Sequence, residues 1–352
     1  MAAYDELIPV NLITGFLGSG KTTLLQRLLA APELANTAVL INELGEVALD
    51  HLLLERIDDE TIVLQSGCVC CAIRSDLSDA MRELYSKRER GVVPRFDRLA
   101  IETTGLADPA PIVFTLTSDP VLRHHFRLGN IVTTIDAVNG PLHFDRNPES
   151  VKQAAIADRL VLTKTDIAEA EACTALRRRL RRLNPSAPIH EAATETIDPD
   201  RLLTADIYDP ARKSAEVQGW LRDEAPDSAD PDHGGDAGAR PHRHERGIEA
   251  FCLTYDEPLD WTAFGVWLSM LLNRHGENVL RVKGILNVVE TETPVVIQGV
   301  QHVIHPPTHL ERWPDKDRRS RIVFIVRDMD RSAIERSLAA FNRLANPGRR
   351  AA

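Results

Sequence analysis

Ile8-Pro9-Val10-Asn11-Leu12-Ile13-Thr14-Gly15-Phe16-Leu17-Gly18-Ser19-Gly20-Lys21-Thr22-Thr23 reads as a mostly apolar strand, a glycine-rich turn and the first turn of a helix. Residues 15–22 match G-x-x-x-x-G-K-[ST]. The run Ile8 to Thr14 before them and the amphipathic segment Lys21 to Ala30 after them supply the strand–turn–helix setting that this motif requires. Glycines let backbone N–H groups curl around phosphate oxygens, and the helix N-terminus adds a favourable dipole. Gly15, Gly18, Ser19, Gly20, Lys21, Thr22 and Thr23 are therefore the expected nucleotide-binding set. The Lys21 ammonium is expected at the β- and γ-phosphates and the Thr22 hydroxyl on Mg²⁺. The competing reading, a chance glycine-rich turn, lacks a reason for the flanking elements.

Working outward, further strand-like runs are Ala38 to Asn42, Thr61 to Leu64, Arg98 to Glu102, Ile131 to Asp136 and Arg159 to Thr163. Helical patterns at Ser75 to Arg90, Pro109 to Ser118 and Ala168 to Leu183 separate most of them. This alternation predicts an α/β fold, a mainly parallel sheet of P-loop NTPase type with helices on both faces. Such a sheet binds its ligands at the carboxyl ends of its strands. After about residue 212 the composition shifts to Asp, Pro, Gly, Ala and His. We expect a nucleotide-binding domain over 1–212, a flexible His-containing linker over 213–247 and a smaller α+β domain over 248–352. In the last of these, Glu249 to Tyr255, Val279 to Glu290, Pro294 to Ile304 and Arg321 to Arg327 read as strands, and Trp261 to His275 and Arg331 to Leu344 as helices. Trp261, Phe264 and Trp267 lie at helical spacing and are expected in the core.

The chain has 352 residues, 43% hydrophobic and 27% charged, with a net charge of −10. A net negative charge argues against a general affinity for nucleic acid or an anionic membrane. Ala263 to Leu272, the longest apolar candidate, is about half of the ~18 residues that a membrane span needs. The start, MAAYDEL, has neither a basic nor a long apolar signal region, so a cytoplasmic protein is the expectation.

Two later runs define the nucleotide. Arg98-Leu-Ala-Ile-Glu102-Thr-Thr-Gly105 is a strand ending in an acid, with a glycine three residues on. Glu102 can hold the magnesium shell and the Gly105 amide can sense a γ-phosphate, which with Lys21 makes the expected catalytic set. Thr163-Lys164-Thr165-Asp166 resembles the guanine-reading N-K-x-D motif, with Thr in place of Asn. A carboxylate at Asp166 can accept both the N1–H and the exocyclic amine of guanine, whereas adenine offers no matching pair of donors. GTP is therefore favoured over ATP, since bound ATP would leave the carboxylate unpaired. A helix-capping role for Asp166 is the alternative.

Three of the five cysteines, Cys68, Cys70 and Cys71, fall within four positions. So dense a cluster is no disulfide framework, but its thiolates can converge on one soft metal such as Zn²⁺. A redox pair and inert buried thiols remain the alternatives. Structural zinc usually takes four protein ligands and this motif offers at most three. The incomplete shell suits a site that loads and releases its ion. Glu46, in Asn42-Glu43-Leu-Gly45-Glu46, is a candidate oxygen ligand. Cys173 and Cys252 lie in apolar patterns and are expected as core residues. His233, His242 and His244 sit on the polar linker, where metal capture and plain solvation are both open. His302 and His305 are expected to be structural or surface residues.

With these motifs in this order, the sequence resembles the CobW-like GTPases, a metallochaperone family. The resemblance takes in Asn42 to Glu46, Ala107-Asp108-Pro109, Arg281-Val-Lys283-Gly284 and Gln298-Gly299-Val300-Gln301. It implies GTP hydrolysis with Mg²⁺, metal held at the cysteines, and delivery of that metal to a client metalloprotein. Zinc is the metal of many members, while service to cobalamin synthesis or nitrile hydratase maturation makes Co²⁺ or Fe²⁺ compatible. A homodimer could complete the metal shell. A metal-sensing regulatory GTPase is the second reading. A small-molecule kinase is the third, and Asp166 counts against it.

Overall fold

The computed structural model describes residues 6–41, 63–65, 73–193, 198–204, 217 and 247–345. Glu46, Cys68, Cys70, Cys71 and the linker histidines lie outside the described residues. The chain divides into two compact units, each with its own sheet.

The first unit is a seven-stranded parallel sheet in the order β3-β2-β4-β1-β5-β6-β7. Its strands are β1 (Ile8–Gly15), β2 (Thr37–Ile41), β3 (Val63–Gln65), β4 (Arg98–Glu102), β5 (Phe126–Asp136), β6 (Arg159–Thr163) and β7 (Ile189–Glu191). Helices α1 (Lys21–Leu29), α2 (Ile73–Glu89), α3 (Ala110–Ser118), α4 (Gly140–Arg146), α5 (Pro148–Ile156) and α6 (Ala170–Leu183) connect them. β1 is central and buried along nearly its whole length, as parallel strands covered on both faces must be. All seven strands run the same way, so Gly15, Gln65, Glu102, Asp136 and Thr163 close their strands at one edge.

β5 is longer than the run Ile131 to Asp136 suggests, because Phe126–Leu128 also pair with Ile8–Val10. A register shift between Val10 and Leu12 interrupts the ladder, and Asn11 fills the gap by accepting the Asn130 N–H at 2.9 Å. α4 and α5 are absent from the sequence expectation. Gly140-Pro141 and Asn147-Pro148 look like breaks, but Pro at the first helical positions starts these helices.

α2 and α3 are tied by Asp119, which accepts hydrogen bonds from Ser78, Arg82 and the backbone N–H groups of Val121 and Leu122. Burial pushes this carboxyl up. The Ser78, Leu122, Val121 and Arg82 donors outweigh that and bring it down from 3.8 to about 2. A lowered folded-state pKa stabilises the fold fully above the unfolded value and loses that contribution as pH falls through about 2. Asp119→Ala should therefore cost about 1–2 kcal/mol at pH 7. Urea midpoints of the variant and parent should converge as pH falls from 4 towards 2, and a constant gap would contradict the ionic origin.

The second unit is an antiparallel sheet in the order β11-β10-β9-β13-β8, with β12 also on β10. The strands are β8 (Ile248–Tyr255), β9 (Val279–Leu286), β10 (Val295–Val300), β11 (Val303–Ile304), β12 (Thr308–His309) and β13 (Ser320–Arg327). α7 (Trp261–His275) and α8 (Arg331–Ala345) share a core with Phe251, Val282 and Phe324. Asp260 caps α7 by accepting the Ala263 N–H at 2.8 Å. Phe264 and Trp267 are buried as expected, and Trp267 Nε1 donates to Ser337 at 2.8 Å. Trp261 departs from the expectation. At the first position of α7 it stacks on Phe264 and is 41% exposed. The expected strand Pro294 to Ile304 is two strands, split where Gln301 turns at φ 50°. The runs 281–284 and 298–301 prove to be cross-strand neighbours: Lys283 pairs with Gln298 and Val282 with Gly299. Arg281 is buried and donates to Gln298 Oε1 at 2.9 Å. His302 binds the Leu272 carbonyl at 2.9 Å and His305 is buried, both structural positions. Cys173 is buried and Cys252 half-buried. Among the described residues no helix is long and apolar enough to cross a membrane.

Candidate functional site

Gly15 ends β1 beside Thr134 of β5, and its φ of 141° is one that L side chains rarely adopt. A Cβ there would lie 2.4 Å from both the Thr134 carbonyl oxygen and its hydroxyl, so only glycine lets the chain leave the strand at this point. The turn is then tied to the sheet. The Ser19 hydroxyl meets Thr134 Oγ1 at 2.7 Å, and Thr134 Oγ1 donates to the Thr14 carbonyl at 3.2 Å. Gly20, at φ 87°, opens α1 with no side chain over its first N–H groups, leaving the helix end to a ligand.

A cavity of about 680 Å³ faces this turn. It is lined by Gly18, Gly20, Lys21, Thr22, Thr23, Gln26, Glu102, Thr103, Thr104, Gly105 and Lys164, with Leu17 and Leu106 at its side. Lys21 is almost fully buried and donates to the carbonyls of Gly15 at 3.1 Å and Phe16 at 3.3 Å. Its ammonium is thereby held over the turn. Thr22 Oγ1 donates to Glu102 Oε1 at 2.6 Å, although 80 residues separate them, because β4 lies beside β1. A hydroxyl and a carboxylate side by side in a cavity form a hard-oxygen donor set that suits Mg²⁺. Thr104 Oγ1 is buried without a partner among the described residues and belongs to the same lining, as expected where an anionic ligand supplies acceptors.

The T-K-T-D run leaves β6 at the same edge. Lys164 adopts φ 58°, and its ammonium bridges the Gly18 carbonyl at 2.9 Å and Asp136 Oδ2 at 2.7 Å. Asp136 is buried, and burial opposes its ionisation. Lys164, the Asn139 side chain and the backbone N–H groups of Asn139 and Val138 more than compensate, holding the carboxyl below its usual range. Thr163 stands where guanine-binding motifs carry Asn. Its hydroxyl donates to the Ser19 carbonyl at 2.8 Å, so the substitution keeps a link to the phosphate turn. Asp166 is exposed. The helix-capping alternative does not form, because α6 begins only at Ala170. Phe16 packs on the His143 ring at 4.5 Å, and burial keeps that imidazole below its normal pKa, against the opposing pull of Asp136.

The sequence reading missed Asp136 and Thr134, both on β5. The available signal for Asp136 was the one used for Glu102, an acid closing an apolar strand. Among the described residues no group of three or more His, Cys, Asp or Glu could hold a metal ion, and the four candidate zinc ligands lie outside those residues.

Comparison with known proteins places this geometry. Residues 9–191 match the family model "CobW/HypB/UreG, nucleotide-binding domain", and residues 248–342 match "Cobalamin synthesis protein cobW C-terminal domain". The zinc chaperone YjiA of Escherichia coli is 32% identical over 340 residues, covering 96% of this chain and 99% of the relative. The zinc chaperone CobW of Pseudomonas aeruginosa is 28% identical, covering 94% of this chain and 90% of its own length. The crystal structure of Zn(II)-bound YjiA GTPase superposes with a TM-score of 0.68 at 28% identity, over 95% of this chain and 99% of that one.

Proposed function

The chain belongs to the CobW/HypB/UreG family of P-loop GTPase domains followed by a CobW C-terminal domain, and from that premise we propose that it hydrolyses GTP to load or release a metal ion for a client metalloprotein. The ion is Zn²⁺, held by Cys68, Cys70 and Cys71 with Glu46 as an oxygen ligand. The observation that carries the nucleotide half is the meeting of Lys21, the Thr22–Glu102 pair, Gly105 and Lys164 around one cavity at the carboxyl edge of the sheet. The names of the relatives that span nearly the whole chain support zinc. β3 also ends at that edge, three residues before Cys68 in the sequence.

In this reading the N–H groups of the 15–22 turn bind the α- and β-phosphates, and the Lys21 ammonium leaves the turn's carbonyls for the β- and γ-oxygens. The Gly105 amide donates to the γ-phosphate. Asp166 accepts from guanine, while Lys164 ties the base-reading run to Gly18. Thr22 and Glu102 would hold Mg²⁺, which would supply positive charge against the phosphate oxygens. The domain limits 1–212, 213–247 and 248–352 are part of the same proposal, with the last domain meeting the client. Losing the γ-phosphate releases Gly105, and chain segments ordered by that phosphate pass the change on.

The test is chelator competition for Zn²⁺ on protein loaded with Mg²⁺ and either GDP or a non-hydrolysable GTP analogue. One zinc per chain is expected, with a nucleotide-dependent shift of about fivefold or more, equivalent to about 1 kcal/mol of coupling. Cys70→Ser should abolish tight zinc binding and leave GDP binding intact. If that variant loads zinc normally, the metal site lies elsewhere. Tight binding indifferent to nucleotide would remove the carrier mechanism and leave zinc as a structural or signalling ion.

A further inference from the structure

α5 grips the segment that follows Glu102. Gln153 is buried, and its Nε2 donates to the carbonyls of Ala107 at 2.9 Å and Gly105 at 3.2 Å. One residue earlier, Lys152 forms an ion pair with Asp108, whose other oxygen accepts the N–H of Ala110, the first residue of α3, at 3.1 Å. Gln153 is itself anchored, since its carbonyl accepts the Thr133 hydroxyl at 2.9 Å. On its opposite side Gly105 lies against the phosphate turn, where a Cβ would come within 2.5 Å of Leu17 N. The segment is thus caught between the phosphate turn and α5, with Gly105 and Leu106 bordering the cavity.

Gln153 Oε1 is buried with no partner among the described residues. An unpaired acceptor costs stability, so a helix position concerned only with packing would be better filled by an apolar side chain of the same size. What an apolar residue cannot do is hold two carbonyls on the side away from the ligand. We infer that Gln153, with Lys152 beside it, is a positioning residue that presets the Gly105 segment for the γ-phosphate, so that its contribution is felt with GTP and not with GDP. The inference rests on the reading of this cavity as the GTP site.

The full-length protein carrying Gln153→Leu provides the test. Because the substitution removes an unpaired acceptor along with the two donors, the variant should fold, and a thermal melt checks this. GDP affinity should stay within about twofold of the parent. Affinity for a non-hydrolysable GTP analogue should drop about fivefold or more, and kcat about tenfold. Lys152→Met, which loosens only the outer half of the grip, should move the same ratio in the same direction by less, and it decides the matter if Gln153→Leu fails to fold. Equal losses for both nucleotides, or none, would overturn the inference and leave Gln153 a packing residue. A parent protein that binds neither nucleotide would instead overturn the reading of the cavity.

Discussion

Lys21→Ala is expected to lower single-turnover GTP hydrolysis by about 10²–10³-fold, the usual effect of deleting one positioned charge at a transferring phosphoryl group. The geometry makes the effect large. Lys21 is nine-tenths buried over the turn, on the Gly15 and Phe16 carbonyls, so its ammonium already lines the cavity that the phosphates would enter. Lys21→Arg should not rescue it, because a planar guanidinium does not replace a compact ammonium between the β- and γ-oxygens. The fold should survive, since the turn is also fastened by Ser19 to Thr134 and by Thr163 to the Ser19 carbonyl. The check pairs a circular-dichroism melt with phosphate release; turnover within threefold of the parent would show that Lys21 faces no phosphate.

Asp166→Asn should weaken GTP about 10²–10³-fold and strengthen xanthosine triphosphate by a similar factor. Losing one hydrogen bond to a charged acceptor costs about 1.5–3 kcal/mol, and the guanine amine left facing an N–H adds about 1 kcal/mol, which together reach this order. The direction follows from chemistry. An amide loses one acceptor facing the guanine amine, but gains an N–H that suits the 2-oxo group of xanthine. Asp166 is exposed and lies four residues before α6, so the change should leave the fold untouched. Competition among GTP, ATP and xanthosine triphosphate for the parent and the variant gives the answer. Unchanged selectivity would move base recognition away from this run.

What could be read from the sequence was whatever is local. The 15–22 turn, the run 98–105 and the run 163–166 each carry their meaning within a few residues, and each sits at the end of a strand whose β-branched and apolar pattern is unambiguous. Gln153 and Thr134 are different. A glutamine beside two alanines on α5 and one of two adjacent threonines on β5 acquire meaning only when β1 and β4 are laid beside them. The amino-terminal half of β5 escaped notice because Arg127, Gly129 and Asn130 break its apolar pattern. Burial and hydrogen bonds absorb that break: Asn130 donates to the Leu202 carbonyl at 3.0 Å and to Asn11 at 2.9 Å. The sequence leaves Asp166 with a helix-capping alternative, which only the start of α6 at Ala170 removes.

The placement of β1 between β4 and β5 has a consequence during synthesis. The turn at 15–22 emerges from the ribosome before its neighbours, since the strands on either side of it and the Thr163 hydroxyl that braces it are encoded 80 to about 140 residues later. At typical elongation rates of about 5–20 residues per second, the nascent chain carries an incompletely braced phosphate turn for roughly 4–30 s. Contacts so distant along the chain also form slowly once they are available. A newly made molecule therefore gains its nucleotide grip late and all at once, and GTP in the surrounding solution can act as a ligand that captures the finished sheet.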